Sequence, residues 1–191
     1  MSQWIVPLGI SFITFTAISY LVDVFRGDAE AGSLLDVFLY LSFFPKVISG
    51  PIVQWKDFQR QTVHRRVDET EFLDGLNRIM IGFAKKVILA DSFGAVISKI
   101  DPYIGVGMDV PTAWLFAFFY MMQIYYDFSG YSDIAIGLAQ LFGFHFKENF
   151  QFPYRSKSIT EFWRRWHISL GTWFRSYIYI PLGGNRKGMK R

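Results

Sequence analysis

The chain has 191 residues, of which 51% are hydrophobic and 19% aromatic, and it carries a formal net charge of +4 and no cysteine. The lack of cysteine excludes disulfides, thiolate nucleophiles and cysteine-based zinc sites. Its basic residues form short clusters beside apolar blocks, at 65–66, 85–86, 164–165 and 186–187. This pattern favours contact with a lipid bilayer and its phosphates, and it indicates no nucleic-acid binding.

The first apolar block runs from Trp4 to Val22. A helix of this length rises about 28 Å at about 1.5 Å per residue, close to the ~30 Å hydrocarbon core of a bilayer. We therefore predict a membrane-spanning helix here. A second spanning candidate begins at Thr112 and runs to Ile124.

Another apolar run begins at Leu34 and is interrupted after Phe44 by Pro45 and by the Ser49-Gly50-Pro51 triplet. Proline removes a backbone donor and glycine frees the φ angle, so a helix is not expected to continue through this stretch. Two interpretations stay open. Either the segment is broken or re-entrant and lines a cavity, or a plain helix ends at Phe44.

The stretch after residue 68 predicts an amphipathic helix. Apolar residues recur at helical spacing at positions 72, 73, 76, 79, 80 and 83, opposite polar residues. Such a helix is typical of a membrane interface. We expect Lys85 and Lys86 to interrupt it.

A polar band at 123–133 separates two apolar runs and contains Asp127 and Asp133. Six residues place these carboxylates on different helix faces, which argues against a paired-carboxylate site. Asp127 is then either a polar hinge between two helical halves or a group that orients an imidazole. With no strand-like alternation, the fold class is all-α, a multi-pass helical membrane protein with broken and interfacial helices.

The segment from Phe162 to Ile180 places His167 on an aromatic face when it is read as one helix. The residues predicted to share this face are Trp163, Leu170, Gly171, Phe174 and Ile178. Desolvation among these side chains favours the neutral imidazole, which is the form that a general base requires. From the residues alone, His167 is either a catalytic base or a packing residue.

Three further residues near His167 are candidates for supporting roles. Trp163 is either part of an aromatic belt at the membrane interface or a surface for ligand stacking. Arg164 and Arg175 are suited to phosphate groups of a coenzyme or lipid, and snorkelling of both side chains is the alternative. No GxSxG, Walker, HExxH or dinucleotide motif occurs, and no metal site is expected.

At this point the residues resemble a known family. The run Ser158-Ile-Thr-Glu-Phe-Trp-Arg-Arg-Trp-His-Ile-Ser-Leu170 is similar to the histidine signature of membrane-bound O-acyltransferases. The runs Trp173-Phe-Arg175 and Tyr177-Ile-Tyr-Ile-Pro-Leu-Gly-Gly-Asn-Arg186 look like its alginate O-acetylation branch, as does Asp127-Phe-Ser-Gly-Tyr-Ser-Asp-Ile134. The resemblance covers nearly the whole chain.

The resemblance implies a bacterial inner-membrane enzyme that takes an acetyl group from acetyl-CoA, with no permanently bound cofactor. The group would reach an exported polysaccharide through periplasmic acetyltransferase partners. His167 would be one of two functional histidines, the second lying beyond Arg191. Residues 1–191 are thus expected to be a single partial domain, truncated at both ends and inactive alone.

Three alternatives remain. The chain is a noncatalytic membrane scaffold, or a D-alanyl or lipid acyltransferase of the same family. A transporter is the third, because broken helices and polar bands also line substrate paths.

Overall fold

A computed structural model of the chain describes residues 9–63 and 65–187, and all regular elements in these ranges are helical. The α-helices are α1 (Ile10–Arg26), α2 (Leu34–Ser42), α3 (Phe44–Val47), α4 (Trp55–Thr62), α5 (Glu69–Ala84), α6 (Asp91–Ile100), α7 (Val110–Leu141), α8 (Ile159–Arg165) and α9 (Ile168–Phe174). Lys85–Ala90 and Arg175–Tyr179 are π-helical turns, and Asp101–Tyr103, Pro153–Arg155 and Gly184–Lys187 are 3₁₀ turns. The prediction of an all-helical fold is confirmed.

Side chains at the helix ends explain where several of these helices begin. Ser33 caps α2 in a capping box with Asp36, and the Asp109 side chain accepts a hydrogen bond from the backbone of Thr112 at the start of α7. At the start of α8, the Ser158 hydroxyl accepts a hydrogen bond from the backbone N–H of Glu161. Each cap satisfies a backbone N–H that the first helical turn leaves unpaired.

Within residues 9–63 and 65–187, no helix combines the length and apolar character needed to cross a membrane. The spans predicted at Trp4–Val22 and Thr112–Ile124 are therefore not confirmed. α1 begins at Ile10, and the residues before Gly9 lie outside the described ranges. α7 is 32 residues long and joins the apolar stretch to the polar band in one helix.

One of the two predicted interruptions is wrong. Asp127 is not a hinge, because α7 runs unbroken past it, and its carboxylate instead pairs with Lys86. At Lys85 and Lys86 the α-helical geometry is interrupted as predicted: α5 ends at Ala84, and both lysines open a π-helical turn that leads directly into α6. Lys85 reaches Asp133 at 2.5 Å, so both lysines pair with carboxylates of α7.

The interrupted run after Leu34 is divided as the broken-segment interpretation predicts. α2 ends at Ser42, and α3 is a four-residue turn with Pro45 in its first turn. Residues 51–54 then extend without helical structure to the start of α4.

α5 and α7 pack with their backbones in close contact at two pairs of glycines. A Cβ atom on Gly82 would lie 2.6 Å from the Gly130 carbonyl oxygen, and one on Gly137 would lie 2.6 Å from that of Gly75. These distances are shorter than any Cβ can accept. Small residues at such a crossing are typical of helix pairs in membrane proteins.

The predicted amphipathic helix exists as α5, with its apolar side outward. Arg78 contacts α7 and the following loop, where its Nη2 lies 2.9 Å from Asp133 Oδ1 and its guanidinium also pairs with Glu148. Large apolar side chains of α5 are exposed: Phe72, Leu73, Leu76, Met80, Ile81 and Phe83. This orientation is the reverse of the one expected for a helix on a water-soluble core.

α9 and the π turn that follows it are docked on α1 by two buried hydrogen bonds. The Trp173 indole donates to Ser19 Oγ at 2.8 Å, and the Tyr177 hydroxyl donates to Asp23 Oδ1 at 2.7 Å. Ser19 and Asp23 are fully buried. These contacts fix the helix that begins immediately after His167.

Candidate active site

His167 lies at a break between two short helices, and the continuous helix predicted from Phe162 to Ile180 is therefore wrong. α8 ends at Arg165 and α9 begins at Ile168. His167 itself adopts the left-handed conformation, with φ 45° and ψ 54°. This region costs a non-glycine residue roughly 1–2 kcal/mol, so surrounding contacts must hold it in place.

The loop that follows α7 supplies those contacts. The backbone N–H of Ile168 donates to the Asn149 carbonyl at 3.0 Å, and that of Gln151 donates to the Arg165 carbonyl at 2.9 Å. These bonds satisfy backbone groups that an unbroken helix would have paired internally. Residues 149–151 therefore stabilise the break.

The imidazole of His167 packs among aromatic side chains. The centroid of the Phe128 ring, on α7, lies 4.7 Å from the centroid of the imidazole, and the two rings meet edge to face. Burial lowers the pKa of His167 from its ordinary value of 6.5 to about 4, because desolvation disfavours the charged ring. The side chain is therefore neutral at physiological pH, as the sequence argument required of a base.

An apolar cavity of about 340 Å³ opens beside His167. Its other lining residues are Trp163, Trp166, Leu170, Gly171 and Phe174. Four of these five were predicted to share a face with the histidine. The grouping holds although the helix is broken, and the cavity is large enough for a short acyl chain or part of a thioester arm.

The two ring nitrogens of His167 have different surroundings. Nδ1 lies 3.1 Å from Asn149 Oδ1. In the part of the chain that the structure describes, no hydrogen bond engages Nε2. One nitrogen is therefore held by the protein while the other stays available to a ligand.

Asn149 is fully buried and also lines a second, polar cavity of about 260 Å³. Arg78, Lys85, Ser129 and Ser132 are among the residues around this cavity. Asn149 lines the polar cavity and His167 lines the apolar one, so their hydrogen bond joins residues of the two cavities.

The predicted supporting residues are distributed unevenly. Trp163 lines the apolar cavity and is 61% exposed. Arg164 and Arg175 are exposed and do not line it, so their contact with a phosphate group stays a prediction. Asp127 does not orient the imidazole, because its carboxylate pairs with Lys86 and Asn149 occupies the position beside Nδ1.

Sequence reasoning missed Asn149, Ser169 and Phe128. Phe128 directly follows Asp127, and Ser169 lies inside the Ser158–Leu170 run, but nothing in the local pattern marks either residue as a contact of Asn149 or His167. Asn149 lies between Glu148 and Phe150 in a loop that alternates aromatic and polar residues, and no local pattern distinguishes it. Among residues 9–63 and 65–187, no three potential metal ligands come together.

His167 thus combines a desolvated imidazole, one ring nitrogen beside Asn149 and a neighbouring apolar cavity, an arrangement suited to proton transfer. Residues 8–191 match the model of the membrane-bound O-acyltransferase family. Because the match covers nearly the full chain, the chain belongs to this family.

Several curated relatives are similar to the chain. A probable alginate O-acetylase of Pseudomonas aeruginosa is 50% identical over 190 residues, covering 97% of this chain and 36% of the relative. A peptidoglycan O-acetyltransferase of Helicobacter pylori is 35% identical, covering 95% of this chain and 40% of the relative. A teichoic acid D-alanyltransferase of Bacillus subtilis is 33% identical, covering 91% of this chain and 45% of the relative. The chain therefore spans less than half the length of each.

Proposed function

We propose that the intact protein is a membrane-embedded O-acyltransferase that directs acetyl groups to hydroxyls of an exported, alginate-like polysaccharide. The observation that carries this proposal is the neutral His167 beside an apolar cavity, with Nε2 available. The 50% identity to an alginate O-acetylase supports the acetyl group and the polysaccharide over the other substrates of the family.

His167 acts as the general base in this proposal. Nε2 accepts the proton of the acceptor hydroxyl while the hydroxyl oxygen attacks the carbonyl carbon of the acyl thioester. The carbon–sulfur bond breaks, and the imidazolium returns the proton to the departing thiolate. A base of this kind contributes about 10²- to 10⁴-fold to the rate.

Acetyl-CoA is the donor that we propose, and periplasmic acetyltransferases are the partners that complete delivery to the polymer. The bacterial inner membrane is the proposed location, with the chain forming part of a multi-pass protein. This location is supported by the apolar side chains exposed along α5. Such a surface is suited to contact with lipid or with further helices of the intact protein.

The test is His167→Ala in the full-length protein. We expect acetyl ester on the exported polymer to fall at least about 10²-fold while the protein's abundance in the membrane stays unchanged. The matched control is His145→Ala, because His145 lies in a loop with its side chain 58% exposed and contacts Glu71 instead of the site. Retained ester in the His167 variant would remove the catalytic role and favour the scaffold alternative.

The acyl group is tested separately with the purified full-length protein in detergent. Radiolabelled acetyl-CoA and a D-alanyl thioester of a carrier protein are offered in parallel. Transfer from acetyl-CoA supports the proposal, and transfer from the D-alanyl donor alone would replace it with D-alanyl transfer.

A further inference from the structure

Asn149 makes four side-chain contacts that together determine how its amide is oriented. Oδ1 lies 3.1 Å from the backbone nitrogen of Ser169, 3.0 Å from Ser169 Oγ and 3.1 Å from His167 Nδ1. Nδ2 lies 3.1 Å from Ser132 Oγ on α7. The residue is fully buried, so no alternative partner in solvent competes for these groups.

The oxygen and nitrogen of a side-chain amide have nearly the same shape, so their hydrogen-bond partners determine which of the two atoms occupies each position. Here the backbone N–H of Ser169 decides, because it can only donate and therefore faces the oxygen of Asn149. The opposite orientation would place two N–H groups against each other at 3.1 Å. The oxygen of Asn149 is accordingly the atom beside the imidazole.

The carbonyl oxygen of an amide carries no proton. Nδ1 of His167, which lies 3.1 Å from Asn149 Oδ1, must therefore supply the proton of this hydrogen bond. We infer that Asn149 fixes the tautomer of His167, with Nδ1 donating to Asn149 Oδ1 and the lone pair held on Nε2. In the other neutral tautomer, two acceptors would face each other inside a buried site, which costs the desolvation of both. This inference rests on the proposed function, in which Nε2 is the base.

A neutral partner suits this role better than a carboxylate. A carboxylate beside Nδ1 would favour the imidazolium, which cannot accept a proton, whereas the amide orients the ring without adding charge. Charged groups on the neighbouring elements have their own partners or are exposed: Asp127 pairs with Lys86, Asp133 and Glu148 with Arg78, Arg165 with Glu161, and Arg164 and Arg175 are exposed. Asn149 is therefore a positioning residue.

The first test is Asn149→Asp in the full-length protein, which retains an oxygen beside Nδ1 and adds a charge. We expect the pH at which kcat/KM falls on the acid side to rise by about one unit or more, because the added carboxylate favours the imidazolium. Asn77→Asp is the matched control, because it places a carboxylate on the exposed surface of α5 and should leave this pH unchanged. If the acid side of the kcat/KM–pH profile lies at the same pH in Asn149→Asp as in the unaltered protein, the inference is overturned.

The second test, Asn149→Leu, removes the acceptor. We expect kcat to fall about 10- to 100-fold, the range seen for residues that orient metal-ligating histidines, with a smaller change in KM. Unchanged kcat in a folded Asn149→Leu protein would also overturn the inference.

A third measurement does not depend on activity. In protein labelled with ¹⁵N-histidine, the His167 signals are assigned by their loss in His167→Ala. We expect Nδ1 to show the protonated, pyrrole-type resonance and Nε2 the unprotonated, pyridine-type resonance. The reverse assignment would contradict the tautomer even if the enzyme is active.

If His167→Ala keeps full activity, the proposed function fails; if only the Asn149 variants behave as the unaltered protein does, the inference fails alone.

Discussion

The α5–α7 contact and the α1–α9 contact hold two of the helices that contribute residues to the site, and they do so by different means. α5 and α7 meet with their backbones in close contact at Gly75, Gly82, Gly130 and Gly137, where an added Cβ would find no space. α9 and its π turn meet α1 through large side chains that donate hydrogen bonds to buried acceptors.

The difference shows that each contact is sensitive to a different kind of change. The glycine contact has no room for added atoms, so an extra methyl group must separate the helices. The α1–α9 contact has buried polar atoms, so the loss of a single donor leaves an acceptor unsatisfied. α7 carries Phe128 and Ser132 toward the site, and α9 carries Ser169, so damage to either contact displaces one side of it.

Gly82→Ala is expected to have the largest effect on stability. The new Cβ would lie 2.6 Å from a backbone oxygen that cannot move by itself, so we expect a loss of about 3 kcal/mol in the free energy of unfolding. Gly94→Ala is the matched control, because nothing lies within 4 Å of its Cβ position and helix propensity favours alanine by about 1 kcal/mol. Thermal unfolding of the full-length protein in detergent measures both. Equal effects would show that the helices can separate at little cost.

Tyr177→Phe is expected to have an intermediate effect. It removes the hydroxyl that donates to Asp23, and hydrogen bonds to charged groups contribute about 1.5–3 kcal/mol. Tyr103→Phe serves as the control, since Tyr103 is 62% exposed. The same unfolding assay compares them, and a Tyr177 variant as stable as the Tyr103 variant would argue against a structural role for this hydrogen bond.

Ser129→Ala is expected to have the smallest effect and the opposite sign. Ser129 is 2% exposed, and its hydroxyl has no partner among the described residues, so its removal should stabilise the fold by up to about 1 kcal/mol. Ser132, equally buried on the same helix, accepts a hydrogen bond from Asn149. Ser132→Ala should therefore destabilise by about 1 kcal/mol, and a lower melting temperature for Ser129→Ala would show that its hydroxyl has a partner.

The sequence predicted the neighbours of His167 better than it predicted the backbone that carries them. Trp163, Leu170, Gly171 and Phe174 recur at helical spacing, and they line one cavity because α8 and α9 each keep that periodicity. The break between them depends on Asn149, which lies 18 residues before His167. Local periodicity carries no information about a contact over that distance.

Predictions that depended on polar residues inside helices were the least successful. The clearest case is the hinge predicted at Asp127, which rests on the rule that an isolated charge disfavours an apolar helix. Asp127 pairs with Lys86 of the π-helical turn that follows α5, so its charge has a partner and α7 continues past it. The packing of two helices, and not the local composition of either, decides such cases.

The left-handed backbone at His167 has a consequence for any effort to improve the protein. Glycine and asparagine adopt this conformation at lower cost than histidine does. Selection for thermostability or expression yield alone is therefore expected to enrich substitutions at the position that the proposed chemistry requires. Such a screen needs a simultaneous selection for acyl transfer, because here the demands of folding and of function favour different side chains.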